Sequence, residues 1–275
     1  MQNSKAFIRF VLPSSIILVL LSELAVRAMV DIKLFERDTE VGYWFKPGQS
    51  GGSLLTGSYA FNSDGFGVAD EFRTTNGTDV LLVGDSVVWG TSAHQQEERL
   101  GPQLQRVTGW KVWPLATGSW SLANELRYLK RVPLEGTDAI IFVLNSADVG
   151  QPSHWNSEYV LPRSRPPSYL LYSLQRLYPF LRPPEKELPV RPADLKSEWE
   201  EFAASVDVPV YVIGYESGAS SGSSCSWLPV WLDVPTFCYD PIGRNLEGAM
   251  LDSIHLTAEG NKLFARFIDG AVHVP

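Results

Sequence analysis

Four short and mostly apolar runs, at residues 80–83, 110–113, 139–144 and 208–213, alternate along this chain with segments whose leucines recur at helical spacing. A brief apolar run closed by glycine or polar residues suits a strand buried on both faces, the situation found in parallel sheets. Between the runs, Leu100, Leu104 and Val107 share one helical face with Pro102 in the first turn, and Leu122, Leu126 and Leu129 share another within 121–132. Residues 257–268 complete the pattern, with Thr257 as N-cap and Leu263, Phe264 and Phe267 turned inward. Strands and helices in alternation predict an α/β domain, a mainly parallel sheet with helices on both faces.

At 275 residues and 44% hydrophobic content, the chain supports one principal core rather than two independent domains. A net charge of -8 with no local lysine or arginine cluster excludes a nucleic-acid footprint. The N-terminal 30 residues stand apart. Lys5 and Arg9 precede an apolar run over 10–21 in which only Ser14 and Ser15 are polar besides Pro13, and apolar residues continue past Glu23 and Arg27 to Val30. A basic start and an apolar stretch read as a membrane-targeting segment with the following domain exported. No A-x-A cleavage site follows, which favours an uncleaved anchor over a cleaved signal. The expected organisation is therefore an anchor or signal at 1–30, a lead-in at 31–78 with a small hairpin near Ser58 to Phe61, and the main domain from Asp79 onward. Within that domain, a proline- and aromatic-rich insertion at 150–192 follows a strand's carboxyl end and is placed to wall the ligand site.

Two segments at opposite ends of the main domain carry the chemistry. Gly84-Asp85-Ser86 closes the first strand, and Asp252-Ser253-Ile254-His255 precedes the last helix. A serine hydroxyl becomes a nucleophile when an imidazole takes its proton and a carboxylate fixes the imidazole's tautomer. Ser86, His255 and Asp252 supply those three groups, and three-residue spacing lets one turn bring carboxylate and imidazole together. Ser86 also falls near a helix N-terminus, where free N–H groups can stabilise an oxyanion. The plainer reading is that Asp85 or Ser86 caps that helix. Of the other histidines, His94 and His154 read as surface or loop positions and His273 as tail. The only cysteines, Cys225 and Cys238, lie in one Gly/Ser/Pro-rich region, where an exported location would permit a disulfide, the alternative being two unpaired thiols; two ligands without a neighbouring histidine are too few for zinc. Trp89, Trp120, Trp155, Trp227 and Trp231 are either buried packing or platforms for sugar rings, with packing the better expectation.

The Gly84-Asp85-Ser86 segment after a strand, with Asp252-x-x-His255-Leu256-Thr257 and Gly260 before the last helix, resembles the SGNH (GDSL-type) hydrolase superfamily, and the likeness spans roughly residues 79–268. The resemblance implies a flavodoxin-like three-layer α/β/α fold, with Ser86 as nucleophile, His255 as general base then acid, and Asp252 as the orienting carboxylate. It also implies oxyanion donors after the second and third strands. The second block, Ala116 to Ser121, offers Gly118 or Ser119. The third reads Asn145-Ser146-Ala147-Asp148 where the family has Asn-Asp, so Asn145 stands two positions early. Asn62-Ser63-Asp64-Gly65-Phe66-Gly67 resembles a lead-in of some anchored members and is otherwise an ordinary turn.

The function expected from this reading is a membrane-anchored, extracytoplasmic (periplasmic or extracellular) serine esterase, removing O-acyl or O-acetyl groups from a glycan through an acyl-enzyme, with no metal or organic cofactor. The alternatives are a polysaccharide O-acetyltransferase using the same triad with a membrane partner that delivers the acyl group, and an inactive glycan-binding domain.

Overall fold

The computed structural model of the chain describes residues 2–73, 76–216, 225–243 and 248–274, with the backbone alone for residues 2–12. Its elements run α1 (Gln2–Met29), β1 (Phe35–Asp38), β2 (Gly42–Phe45), β3 (Ser50–Gly51), β4 (Tyr59–Ala60), β5 (Asp79–Gly84), α2 (Ser86–Trp89), α3 (Leu100–Thr108), β6 (Lys111–Ala116), α4 (Leu122–Leu129), β7 (Ala139–Leu144), α5 (Tyr169–Leu177), α6 (Leu195–Ser205), β8 (Val210–Tyr215), β9 (Thr236–Tyr239) and α7 (Ala258–Ala271).

Strands β5 to β9 form one fully parallel sheet in the order β6-β5-β7-β8-β9. Counted within the sheet this is 2-1-3-4-5, the flavodoxin-like order, which places a ligand crevice at the carboxyl ends of β5 and β7. All six residues of β5 and all six of β7 are buried, as strands covered on both faces must be. Pro114 sits in β6, and it is tolerated because β6 is an edge strand, so its missing N–H costs the sheet little. Helix α3 packs against α7 and α4 against α6, giving a helical layer on each side. The predicted α/β/α architecture is the observed one.

The lead-in is part of this core. Phe35, Tyr43, Trp44, Phe45, Tyr59 and Phe61 belong to the same buried cluster as the sheet, and Trp89 of α2 stacks on Phe61 at 4.9 Å. The small hairpin expected near residue 60 is the β3–β4 pair, Ser50 opposite Ala60. Asn62 organises the next turn: its Oδ1 accepts from the N–H groups of Asp64 and Phe66, and Gly65 takes a φ of +91°, a region that glycine enters without penalty. These bonds give Asn62 to Gly67 the role of a turn.

Helix α1 projects from the domain. Every residue from Pro13 to Leu21 is exposed, and the first partly buried side chains among the described ones are those of Ser22 and Glu23. Among the described residues no helix is long and apolar enough to cross a membrane; Lys5, Arg9 and the start of the apolar run lie within residues 2–12, whose side chains are outside the described set. A disulfide joins Cys225 to Cys238 of β9, with Cα atoms 5.7 Å apart. The one group of metal-type ligands among the described residues, Glu216 with these two cysteines, therefore has both sulfurs already bonded.

Candidate active site

Gly84 ends β5 where only a glycine fits, since a Cβ there would stand 2.6 Å from Val88 Cγ2 and 2.9 Å from the Val143 carbonyl oxygen. That close approach lets the chain turn at once into α2. Asp85 caps the short helix, its Oδ1 accepting from the Val87 N–H at 2.8 Å, so the capping role and the site role fall on adjacent residues. Ser86 is the single residue from Asp79 to Gly90 that is not buried. Its hydroxyl is turned toward Asp85 Oδ2 at 3.4 Å.

The segment before α7 holds the imidazole. Asp252 Oδ1 accepts from the N–H groups of Ile254 (2.8 Å) and His255 (2.7 Å), an Asx-type turn, while its Oδ2 meets His255 Nδ1 at 2.8 Å. The carboxylate fixes the ring proton on Nδ1 and leaves a lone pair on Nε2. Although burial acts to raise it, the bonds from the His255 N–H, the imidazole and the Ile254 N–H bring the Asp252 carboxyl down to about 2. Tyr215 and His94 pin this segment from either side, through bonds to the carbonyls of Ile254 (2.5 Å) and Leu256 (2.9 Å). Among the described residues no hydrogen bond joins Ser86 to His255.

His94 departs from its expected surface position. It is buried, because the loop after α2 folds under the His255 segment; its Nδ1 accepts from the Thr91 N–H, which leaves Nε2–H to donate to Leu256. Burial, with Arg99 nearby, lowers its pKa and favours that neutral form. His94→Ala is expected to lower kcat for p-nitrophenyl acetate by about 10- to 100-fold with little change in KM, because the cost is misplacement of His255. His94→Gln, which keeps a donor at the same reach, is expected to recover much of it; a KM effect without a kcat effect counts against this role.

Gly118 faces the serine. A Cβ built on it would lie 4.0 Å from Ser86 Cβ. The Gly118 carbonyl accepts from the Tyr43 hydroxyl at 2.7 Å and the Ser119 carbonyl from the Ser153 hydroxyl at 2.5 Å. Ser119 carries a φ of +61°, a left-handed conformation that costs a non-glycine residue roughly 1 to 3 kcal/mol when imposed by its surroundings. Both carbonyls point away toward Tyr43 and Ser153, and among the described residues neither the Gly118 nor the Ser119 N–H enters a hydrogen bond.

Asn145, at the end of β7, has a different employment. Its Nδ2 donates to Asp85 Oδ2 at 3.1 Å, its Oδ1 accepts from the Ala147 N–H, and its own N–H donates to Asp148 Oδ2 at 2.7 Å. Asp148 thus closes a tight turn back on Asn145. Asp148 and the fully buried Glu125 lie behind Asp85. Burial first, and then the neighbouring carboxylates, push both well above the usual carboxylate range, and burial raises Asp85 as well. The two Glu125 oxygens have no hydrogen-bond partner, as befits a neutral buried acid.

Beside this constellation opens a cavity of about 440 Å³ whose walls include Gly118, Ser119, Tyr43, Trp89, Lys33 and Arg176. Ser86 adjoins it through Gly118. The insertion supplies Ser153, His154, Asn156, Tyr172 and Arg176 to its walls. Trp89 is the one of the five sequence-singled tryptophans that reaches the cavity; Trp120 and Trp155 are buried and donate their indole N–H to the carbonyls of Tyr43 and Leu161.

No family model and no curated protein sequence matches the chain. Among solved structures, it is similar to a G-D-S-L family protein from Desulfitobacterium hafniense DCB-2, with a TM-score of 0.44 and 15% identity over 71% of this chain and 99% of that one. A member of the lipolytic protein G-D-S-L family from Veillonella parvula DSM 2008 gives 0.39 and 8% over 70% and 96%. A family two carbohydrate esterase from Cellvibrio japonicus gives 0.40 and 14% over 70% and 59%.

Proposed function

We propose that this chain is a serine-dependent acyl-ester hydrolase of SGNH type acting on an O-acylated, and specifically an O-acetylated, glycan. The observation that carries the reading is the His255–Asp252 pair at 2.8 Å, in a structure where Ser86 is the one residue from Asp79 to Gly90 that is not buried. In the proposed reaction, His255 Nε2 takes the Ser86 hydroxyl proton as Oγ attacks the ester carbonyl. The oxyanion is received by the N–H groups of Gly118 and Ser119, whose carbonyls Tyr43 and Ser153 tie back. His255 returns the proton to the departing sugar alkoxide, and water then releases the acyl group by the same route in reverse. Asn145 acts on Asp85, positioning the residue that caps α2, and the hole rests on backbone donors. No step requires a metal or organic cofactor.

The aromatic and polar walls of the cavity suit a sugar ring. The reading of α1 as an uncleaved anchor, with the domain on the extracytoplasmic side, is supported by its all-round exposed apolar stretch and by the disulfide, which persists in oxidising compartments. O-acetyl transfer to a polysaccharide, with a membrane partner delivering the acyl group, is the second reading. It is favoured by Arg176 and Tyr172, which join the cavity to the helix docked on α1.

The test is labelling of the intact chain with a fluorophosphonate probe beside turnover of p-nitrophenyl acetate. Labelling and turnover are expected in the wild type and lost in Ser86→Ala. A folded wild-type protein that neither labels nor turns over substrate overturns the hydrolase reading and leaves a glycan-binding domain. Acetate released in water with no transfer to added glycan separates hydrolysis from transfer.

A further inference from the structure

Most of the large apolar side chains exposed among the described residues are gathered on α1, the loop hydrogen-bonded to its end and the insertion, the exceptions being Val230, Ile242, Leu251 and Ile254. Scattered exposed leucines are normal for a soluble domain, but a contiguous collection marks a surface that something covers.

The collection has a built geometry. Glu23 of α1 accepts from the Ser168 hydroxyl and from the N–H groups of Tyr169 and Leu170, each at 2.9 Å, so it caps the N-terminus of α5 from another helix. Arg27 donates to the Pro167 carbonyl at 2.7 Å and lies over the Tyr169 ring. These contacts fix α5 alongside α1, level with the last exposed turns of its apolar stretch. Helix α5 is amphipathic. Tyr169 and Tyr172 are buried against Ile32, whereas Leu171, Leu174, Leu177 and Tyr178 face outward, followed by Phe180 and Leu181 in a short 3-10 turn. Phe180 is 82% exposed and Leu177 72%. On the other side, the Ser53 hydroxyl donates to the Met29 carbonyl, which brings the exposed Leu54 and Leu55 to the same end of α1.

We infer that α5, the turn after it and the Leu54–Leu55 loop form a seat that enters the outer face of the lipid bilayer beside α1. The inference rests on the proposal that α1 is a membrane anchor, because that fixes lipid as the occupant: α1 carries its apolar stretch into the bilayer, and the seat is continuous with it. Amphipathic helices bind this way, with the apolar face among the headgroups and upper acyl chains. A chain of net charge -8 gains nothing general from anionic lipids, so the seat acts through apolar contact and is insensitive to salt. Tyr172 and Arg176 lie on α5 and line the cavity, so seating fixes the cavity at the membrane surface.

Both cysteines are disulfide-bonded, so an introduced cysteine is the only thiol to label. Three intact chains, Leu18→Cys in α1, Phe180→Cys in the seat and Val230→Cys outside it, carry an environment-sensitive fluorophore in phosphatidylcholine vesicles containing lipid with a shallow doxyl quencher. Probes at 18 and 180 are expected to be quenched at least about twofold more than the probe at 230, at both 0.05 and 0.5 M salt. Quenching at 18 with position 180 no different from 230 overturns the seat while the anchor stands. No quenching at 18 overturns the anchor and the seat together. Quenching at 180 that disappears in high salt overturns the apolar account.

Discussion

An Asp252→Asn chain is expected to hydrolyse p-nitrophenyl acetate with kcat about 10,000-fold below the wild type, close to 5.5 kcal/mol of lost transition-state stabilisation. The side-chain oxygen of asparagine can still accept from the Ile254 and His255 N–H groups, so the turn survives. The damage is at the other atom. An amide nitrogen in place of Oδ2 is a donor, so Nδ1 must become the acceptor and the ring proton moves to Nε2, where the lone pair for Ser86 should be. The thermal midpoint is expected to fall by only a few degrees, since the lost charge is half exposed and no buried group is left unsatisfied. The pH behaviour follows from the same geometry. A carboxyl depressed to about 2 contributes its stability above the unfolded carboxylate range and loses it only as pH falls through about 2, so the carboxylate stays ionised throughout a practical assay range. An activity loss below tenfold in Asp252→Asn, measured with folded protein, removes Asp252 from the role of orienting carboxylate.

Arg127→Ala is expected to destabilise the fold by about 3 to 5 kcal/mol, read from urea-unfolding midpoints. The Arg127 guanidinium is almost wholly buried and fully engaged. It meets both carboxylate oxygens of Glu198 in α6 at 2.6 and 2.9 Å, and it donates to the carbonyls of Glu40, Arg191 and Pro192. One side chain of α4 thus joins the β1–β2 turn, the end of the insertion and α6. Removing it leaves a carboxylate and three carbonyls short of a donor in a place with little water, which is why the loss exceeds that of an exposed ion pair. Glu198→Ala is expected to cost a similar amount, and the double variant less than the sum, because each single change strands the other charge. A loss under 1 kcal/mol for Arg127→Ala is incompatible with this account.

What the sequence makes legible follows from which forces act locally. The strands at 80–83 and 139–144 are readable because both faces are buried, and an unbroken apolar run is the direct result. Thr257 announces α7 because capping is a short-range bond, and its hydroxyl accepts from the Gly260 N–H. The Asp252–His255 pairing is readable for the same reason, being closed within four residues. Strand β9 is not, since Thr236 to Tyr239 is a short edge strand with an exposed first residue, and its place is set by β8 and the disulfide. Helix α5 escapes because its leucines face outward and tyrosines face the core, so its apolar pattern does not mark the buried side. The positions of His94, Tyr43 and Glu125 are illegible in principle. His94 reaches Leu256 across 162 residues, and Tyr43 reaches Gly118 across 75. Only the assembled sheet edge brings those partners together.

The bridge from Glu23 to the first N–H groups of α5 also bears on how the molecule is made. Helix ends need acceptors for their leading N–H groups, and here a residue of α1 provides them. A peptidase cut between residues 27 and 30 would detach that acceptor together with Arg27, unseating one wall of the cavity. On the proposal that α1 is a membrane anchor, export and folding are linked: the segment is retained as a structural member, and a trimmed chain is an unfinished one.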